Sequence, residues 1–236
     1  MDERPSGCPL CGGAVLVRSG HACGRQRWRC KGCGRQFTRT EPRGKPAALK
    51  RHAIELYCLG LSMNAVAKRV GVSAQSMLRW VRDHARQHCP KPEPTGSTAV
   101  VELDEVWHFV EKKSRKLWIW KAFERGTGRL IDWECGDRDQ ATLQRLLKRL
   151  ERWGVRLFCT DDWAPYATAL PAGRHYIGKD QTQRSESNNA RQRHWFARFR
   201  RRTCVVSRSV AMVDATMALF AYYHCNGGEF SSALVG

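Results

Sequence analysis

The chain has 236 residues, 42% hydrophobic and 27% charged, which suits one sizeable core with small appended modules and excludes bulk disorder. Its 41 Lys and Arg against 22 Asp and Glu give a formal charge of +19, so a polyanion is the natural partner: clustered basic groups gain free energy by releasing counterions condensed on phosphates. No run of about 18 apolar residues occurs and the start, MDERPSGC, is acidic and polar, so no membrane span or secretory signal is expected and a cytoplasmic location is. Eleven cysteines without a secretory signal point to reduced thiols and metal binding instead of a disulfide framework.

In chain order, residues 1–40 read as a zinc ribbon. Cys8 and Cys11 form one CxxC and Cys30 and Cys33 a second, with 18 residues between, the spacing of a four-thiolate structural Zn²⁺ site. Cys23 and His21 are left as non-ligands. Residues 46–88 predict three helices. The first has Ala48, Ile54, Leu56 and Leu59 as its apolar face, the second is capped by Ser62, and the third by Ser73. That is a helix-turn-helix, with Ser73, Gln75, Arg79 and Arg82 of its third helix as candidate DNA contacts. The proline-rich stretch 89–98 predicts a linker.

Within 99–226, three β-branched and aromatic runs, TAVVELDEVWHFV, KLWIWKAFE and GRLIDWECG, predict an antiparallel meander. A helix with Leu143, Leu146, Leu147 and Leu150 on one face follows, capped by Asp137 or Asp139. Then come the strand VRLFCT, a short strand at RHYIG and a helix from about Gln183. This order is that of a ribonuclease H-like α/β sheet. The whole chain is therefore expected to be multidomain: zinc ribbon, all-α helix-turn-helix, then an α/β ribonuclease H-like catalytic domain, with residues 227–236 as an uninformative tail.

If the first and fourth strands are neighbours, Asp104 and Asp161 converge at one edge of the sheet, and two facing carboxylates repel unless a cation sits between them. Alternation does not choose between Asp104 and Glu105. Asp161 can also be read as a strand-end turn residue, although Asp162 is the better candidate for that turn. Glu186 is the one acid in QTQRSESNNARQRHWFARFRRR, a run whose Arg198, Arg200, Arg201 and Arg202, beside Trp195, Phe196 and Phe199, are expected to grip phosphate and stack on a base.

The segments LDEVW, TDDWAPY and GKDQTQRSESNNARQR…RRTCVVSRSV, behind the zinc ribbon and helix-turn-helix, resemble the insertion sequence 1 family of bacterial transposases over nearly the whole chain. The resemblance implies a DDE triad of Asp104, Asp161 and Glu186 holding two Mg²⁺ (or Mn²⁺) ions. It also implies a catalytic basic residue at Arg193 and a DNA-facing asparagine at Asn189. Glu186, Asn189 and Arg193 fall on one helical face. The implied activity is metal-dependent cleavage and strand transfer at terminal inverted repeats on double-stranded DNA, by a homodimer or larger assembly in a bacterial or archaeal nucleoid. A repressor with an inactive C-terminal domain, or a nuclease without strand transfer, are the alternatives.

Overall fold

A computed structural model describes residues 4–38, 44–94, 96, 98–178 and 183–230, the side chains of 183 and 184 excepted. Parts of the TEPRGKP break and the GKDQ segment, and the last six residues, lie outside these. Two compact units result, residues 1–47 and 48–236.

The first unit is a three-stranded antiparallel sheet of β1 (Leu16–Ala22), β2 (Arg25–Cys30) and β3 (Gln36–Thr38). Cys23 and Gly24 both take left-handed φ, 49° and 74°, as a two-residue turn between right-twisted strands requires. The buried core is small, only Cys8, Leu16, Trp28 and Cys30, with Phe37 against it.

The second unit starts with α1 (Ala47–Cys58), α2 (Met63–Val70) and α3 (Ala74–His88). Ser62 Oγ accepts from Ala65 N–H at 3.2 Å and Ser73 Oγ from Ser76 N–H at 3.1 Å, so both expected caps form. The buried face of α1 is Ala53, Ile54, Tyr57 and Cys58; Leu59 is 47% exposed and Ala48 and Leu56 are peripheral, which corrects the face read from the sequence.

The sheet comprises β4 (Val100–Phe109), β5 (Lys116–Glu124), β6 (Leu130–Gly136), β7 (Leu157–Thr160) and β8 (His175–Ile177). Its order is β6-β5-β4-β7-β8, with β4, β5 and β6 antiparallel and β7 and β8 parallel to β4. Alternation along the strands, with a register irregularity in β6 that sends Ile131 and Trp133 to opposite sides, gives it two apolar faces. Val101, Leu103, Trp120, Ala122 and Ile131 pack on Leu143, Leu146 and Leu150 of α4 (Gln140–Leu150), which Asp139 caps. Ile119, Phe123 and Trp133 face the other way, into one cluster with α7 (Val210–Phe220) and with Tyr57, Met77 and Val81 of the N-terminal helices. Enclosed between helices and sheet, α7 is apolar almost all round. The stretch expected as an interdomain linker, 89–98, thus joins two parts of one unit. The expected tail is also partly built in: Gly228 N–H donates to Tyr222 C=O at 2.9 Å, and Phe230 stacks on Tyr223 with centroids 4.4 Å apart.

Candidate active site

Asp104 lies mid-strand in β4, and Asp161 directly follows β7, the parallel neighbour. Carrying the register Glu102↔Cys159 two residues onward sets Asp104 against Asp161, on strands about 4.8 Å apart. The two charges feel each other. Burial raises the pKa of Asp104, nearby Lys121 and a hydrogen bond from Asn189 lower it, and the charge of Asp161 raises it again. Asp161 Oδ1 also accepts from Trp163 N–H at 3.3 Å, so Asp161 makes the turn expected of Asp162, which is exposed.

The two acids that alternation does not rank have different partners. Glu105 Oε1 accepts from Arg138 at 2.6 Å and its Oε2 from the Tyr166 hydroxyl at 2.8 Å. Tyr166 belongs to the short helix α5 (Ala164–Ala169), and the Arg138 guanidinium lies between the indoles of Trp118 and Trp163, 4.7 and 4.8 Å from their centroids. Glu105 is thus committed to holding the loop after β7, while Asp104 points to the opposite face.

On that face runs α6 (Gln183–Trp195), with Ser185, Asn188 and Gln192 buried, Asn189 and Arg193 half-buried, and Glu186 exposed. Asn189 Nδ2 donates to Asp104 Oδ2 at 2.8 Å, and Asn189 Oδ1 accepts from Lys121 Nζ. Gln192 Oε1 accepts from Lys121 at 3.3 Å. Asn189, expected on DNA, is therefore occupied inside the site. Lys121 is fully buried, and burial lowers its pKa to about 8 against the opposing charge of Asp104. Arg193 is close enough for Asp104 to favour its charge, although burial and the neighbouring Arg201 lower its pKa. Glu186 is one helical turn before Asn189. Its carboxylate does not join those of Asp104 and Asp161 in a close group: among the described residues, only Cys8, Cys11, Cys30 and Cys33 bring three or more ligand atoms within 4.8 Å of one another.

Gln75, Arg79 and Arg82 are exposed at i, i+4 and i+7 on α3, one face. Ser73 is spent as the cap. Arg200, Arg201 and Arg202 are exposed, Arg200 donating to Gly60 C=O at 3.3 Å. Arg198 is inside, 5% exposed, donating to Ser207 Oγ at 2.8 Å and Tyr57 Oη at 3.3 Å. It is a core group and not a phosphate contact, and Phe196 and Phe199 beside it are core residues that no base can reach. Sequence reasoning missed Lys121, Gln192, Arg138 and Tyr166; a lysine amid the apolar run LWIWKAF was the one available signal.

In the first unit, Cys8 Sγ and Cys33 Sγ are 3.6 Å apart, as are Cys11 Sγ and Cys30 Sγ. Tetrahedral Zn–S bonds of about 2.3 Å demand sulfur separations of about 3.8 Å, so the cage fits zinc. Gly12 and Gly34, at φ 70° and 74°, close the two knuckles. A backbone N–H of Cys11 helps pull the Cys8 thiol down to about 6. Cys11 receives a backbone hydrogen bond from Gly13, yet the thiols of Cys33, Cys30 and Cys8 around it push it up to about 12. Cys23 is exposed in its turn, outside the cage.

The sheet order, with Asp104 on β4 and Asp161 just after β7, is that of a ribonuclease H-like fold. The family model for IS1 transposases matches residues 98–225, and the chain belongs to that family, the DDE transposases of insertion sequence 1. The chain is 35% identical over 125 residues to the insertion element iso-IS1n protein InsB of Shigella dysenteriae, covering 53% of this chain and 95% of that protein. It is 37% identical over 113 residues to the insertion element IS1 protein InsB of Shigella flexneri, covering 48% and 86%. The family match, residues 98–225, lies in the second unit, whereas the resemblance read from the sequence spans nearly the whole chain. Among solved structures, the HTLV-2 integrase catalytic core domain in complex with magnesium aligns at TM-score 0.35 and 10% identity, covering 55% of this chain and 88% of that one. The Mos1 strand transfer complex aligns at 0.25 and 14%, covering 58% and 60%. No helix among the described residues is long and apolar enough to cross a membrane.

Proposed function

We propose that this DNA transposase binds the terminal inverted repeats of its element and carries out metal-dependent cleavage and strand transfer with Asp104, Asp161 and Glu186. The observation that carries this reading is the convergence on Asp104 of a second acid from β7 and of Asn189 from α6, the helix that also bears Glu186 and Arg193.

The donor set suits a divalent ion, because the carboxylates of Asp104 and Asp161 repel each other and Asp104 is poorly solvated. Such an ion, when bound by the triad, supplies Lewis-acid stabilisation of charge at phosphorus and a more acidic attacking oxygen. The chain's own groups do the rest. Asn189 holds Oδ2 of Asp104, and the backbone of Glu105 also hydrogen-bonds this carboxylate. Trp163 N–H and the Glu105–Arg138–Tyr166 cluster fix the loop of Asp161. Arg193 pairs with a non-bridging phosphate oxygen. Water attacks the phosphorus at the element's end, breaking the P–O3′ bond and releasing a 3′-hydroxyl; that hydroxyl then attacks a target phosphodiester in the same pocket, joining to its 5′ side as the target's own 3′-hydroxyl leaves.

Recognition falls to α1–α3 acting as a helix-turn-helix, with Gln75, Arg79 and Arg82 facing the duplex, and to residues 1–40 acting as a zinc ribbon. Pairing two ends requires at least a homodimer. A labelled inverted-repeat duplex and a plasmid target, incubated with Mg²⁺ or EDTA, test this. Cleavage and joining that Asp161→Asn and Glu186→Gln abolish without loss of DNA binding supports the reading. Binding with no cleavage in any form points to a repressor, and cleavage without joining to a nuclease.

A further inference from the structure

Lys121 stands in the middle of the central sheet, 0% exposed, paired in register with Asp104. A charge is rarely placed there without paired partners. Among the described residues Lys121 makes no direct ion pair; its donors go to two amides of α6, Asn189 and Gln192. An ammonium has three donors and no acceptor. The oxygen of Asn189 must therefore face Lys121, which turns its NH₂ group toward Asp104 Oδ2.

Resting on the triad reading above, we propose that Lys121 is a positioning residue of the active site. Through Asn189 it fixes the orientation of the Asp104 carboxylate. Through Gln192 it sets the register of α6, and so of Glu186 and Arg193, over β4. Lys121 touches neither DNA nor metal; it acts through the two amides.

The test uses the full chain with Lys121→Met, a side chain of similar length without donors, Asn189→Leu, and the double variant. Four quantities are read: melting temperature, affinity for the end duplex, Mn²⁺ affinity by electron paramagnetic resonance, and cleavage rate. Lys121→Met removes a buried ammonium but leaves the oxygens of Asn189 and Gln192 without their donor, so its melting temperature is expected to fall modestly. Duplex affinity stays unchanged, while Mn²⁺ affinity and cleavage fall at least about tenfold, the size of effect seen when groups that orient metal ligands are lost. The double variant is no worse than Asn189→Leu, because both changes cut one chain of contacts.

Tighter Mn²⁺ binding by Lys121→Met would show that the lysine acts only as a repelling charge, and would overturn the proposal. So would cleavage within about twofold of the unaltered protein, or defects that multiply in the double variant. If Lys121→Met does not fold, Asn189→Leu, at a half-buried position, carries the same readouts. Normal activity in Lys121→Met beside an inactive Asp161→Asn overturns this inference alone. Activity retained in Asp161→Asn overturns the triad reading and this inference with it.

Discussion

Replacing Arg198 with methionine separates two roles that the sequence alone confuses. Read as part of RFRRR, Arg198 belongs to a phosphate grip; in the structure it links α1 to the sheet through Tyr57 and Ser207, and Ser207 in turn bonds His108 of β4 at 2.8 Å. Hydrogen bonds from a charged donor contribute about 1.5–3 kcal/mol each. Three are lost here, to Ser207 Oγ at 2.8 Å, Tyr57 Oη at 3.3 Å and the Met63 sulfur at 3.8 Å, the longer two counting for less. Tyr57 keeps Thr216 at 3.0 Å and Ser207 keeps His108, so neither is left without a partner. The net cost is therefore expected at about 2–4 kcal/mol, a fall in melting temperature of roughly 5–15 °C for a domain of this size. Calorimetry measures that fall. In parallel, DNA affinity is followed against salt: each phosphate contact adds about 0.9 to the logarithmic slope, and Arg198→Met should leave the slope unchanged where Arg201→Met lowers it. An unaltered melting temperature with a slope reduced by about 0.9 would refute the internal role.

Three further outcomes follow from the local chemistry. Stripping zinc should abolish amide protection in residues 16–38, measured by hydrogen exchange, because four buried side chains cannot hold that sheet alone. Ser73→Ala should cost about 1 kcal/mol in urea denaturation as a lost helix cap, with no change in base preference, since its hydroxyl faces Ser76 N–H. Burial, with the charge of Arg198, lowers His108 to about 4 from its ordinary 6.5. Between those values the unfolded chain binds a proton that the folded chain refuses, so this contribution to stability is present above pH 6.5 and is lost as the pH falls toward 4. His108→Gln, which can still bond Ser207, should flatten that part of the stability profile.

What the sequence disclosed depended on the range of the interaction involved. The four-thiol cluster is written in two CxxC pairs with glycines beside them, and the caps at Ser62, Ser73 and Asp139 are decided within a few residues, so all were legible. The succession of strands and helices also followed from the apolar runs, whereas the adjacency of the first and fourth strands was only a condition, which the sheet order meets. Burial of whole faces did not. The inner face of α1 is chosen by α7, and Phe196 meets Tyr57 edge-to-face at 5.3 Å across 139 positions of chain, so an arginine-rich run next to a helix end read as surface when half of it is core. At the site, the alternation of β4 could not rank Asp104 over Glu105, because what separates them is the guanidinium and phenol that engage Glu105 from elsewhere in the chain. Lys121 escaped notice because a buried lysine in a strand looks like an ordinary edge charge until its partners on α6 are seen.

The central claim is that Asp104, Asp161 and Glu186 form one metal-binding centre. It is met most directly by anomalous scattering from Mn²⁺ in crystals of the protein bound to an end duplex. The account predicts Mn²⁺ held by Asp104 and Asp161, with Glu186 brought onto the same centre and Glu105 still bound to Arg138 and Tyr166. Mn²⁺ on Glu105, or none at Asp104 in crystals whose protein cleaves DNA in solution, would contradict it.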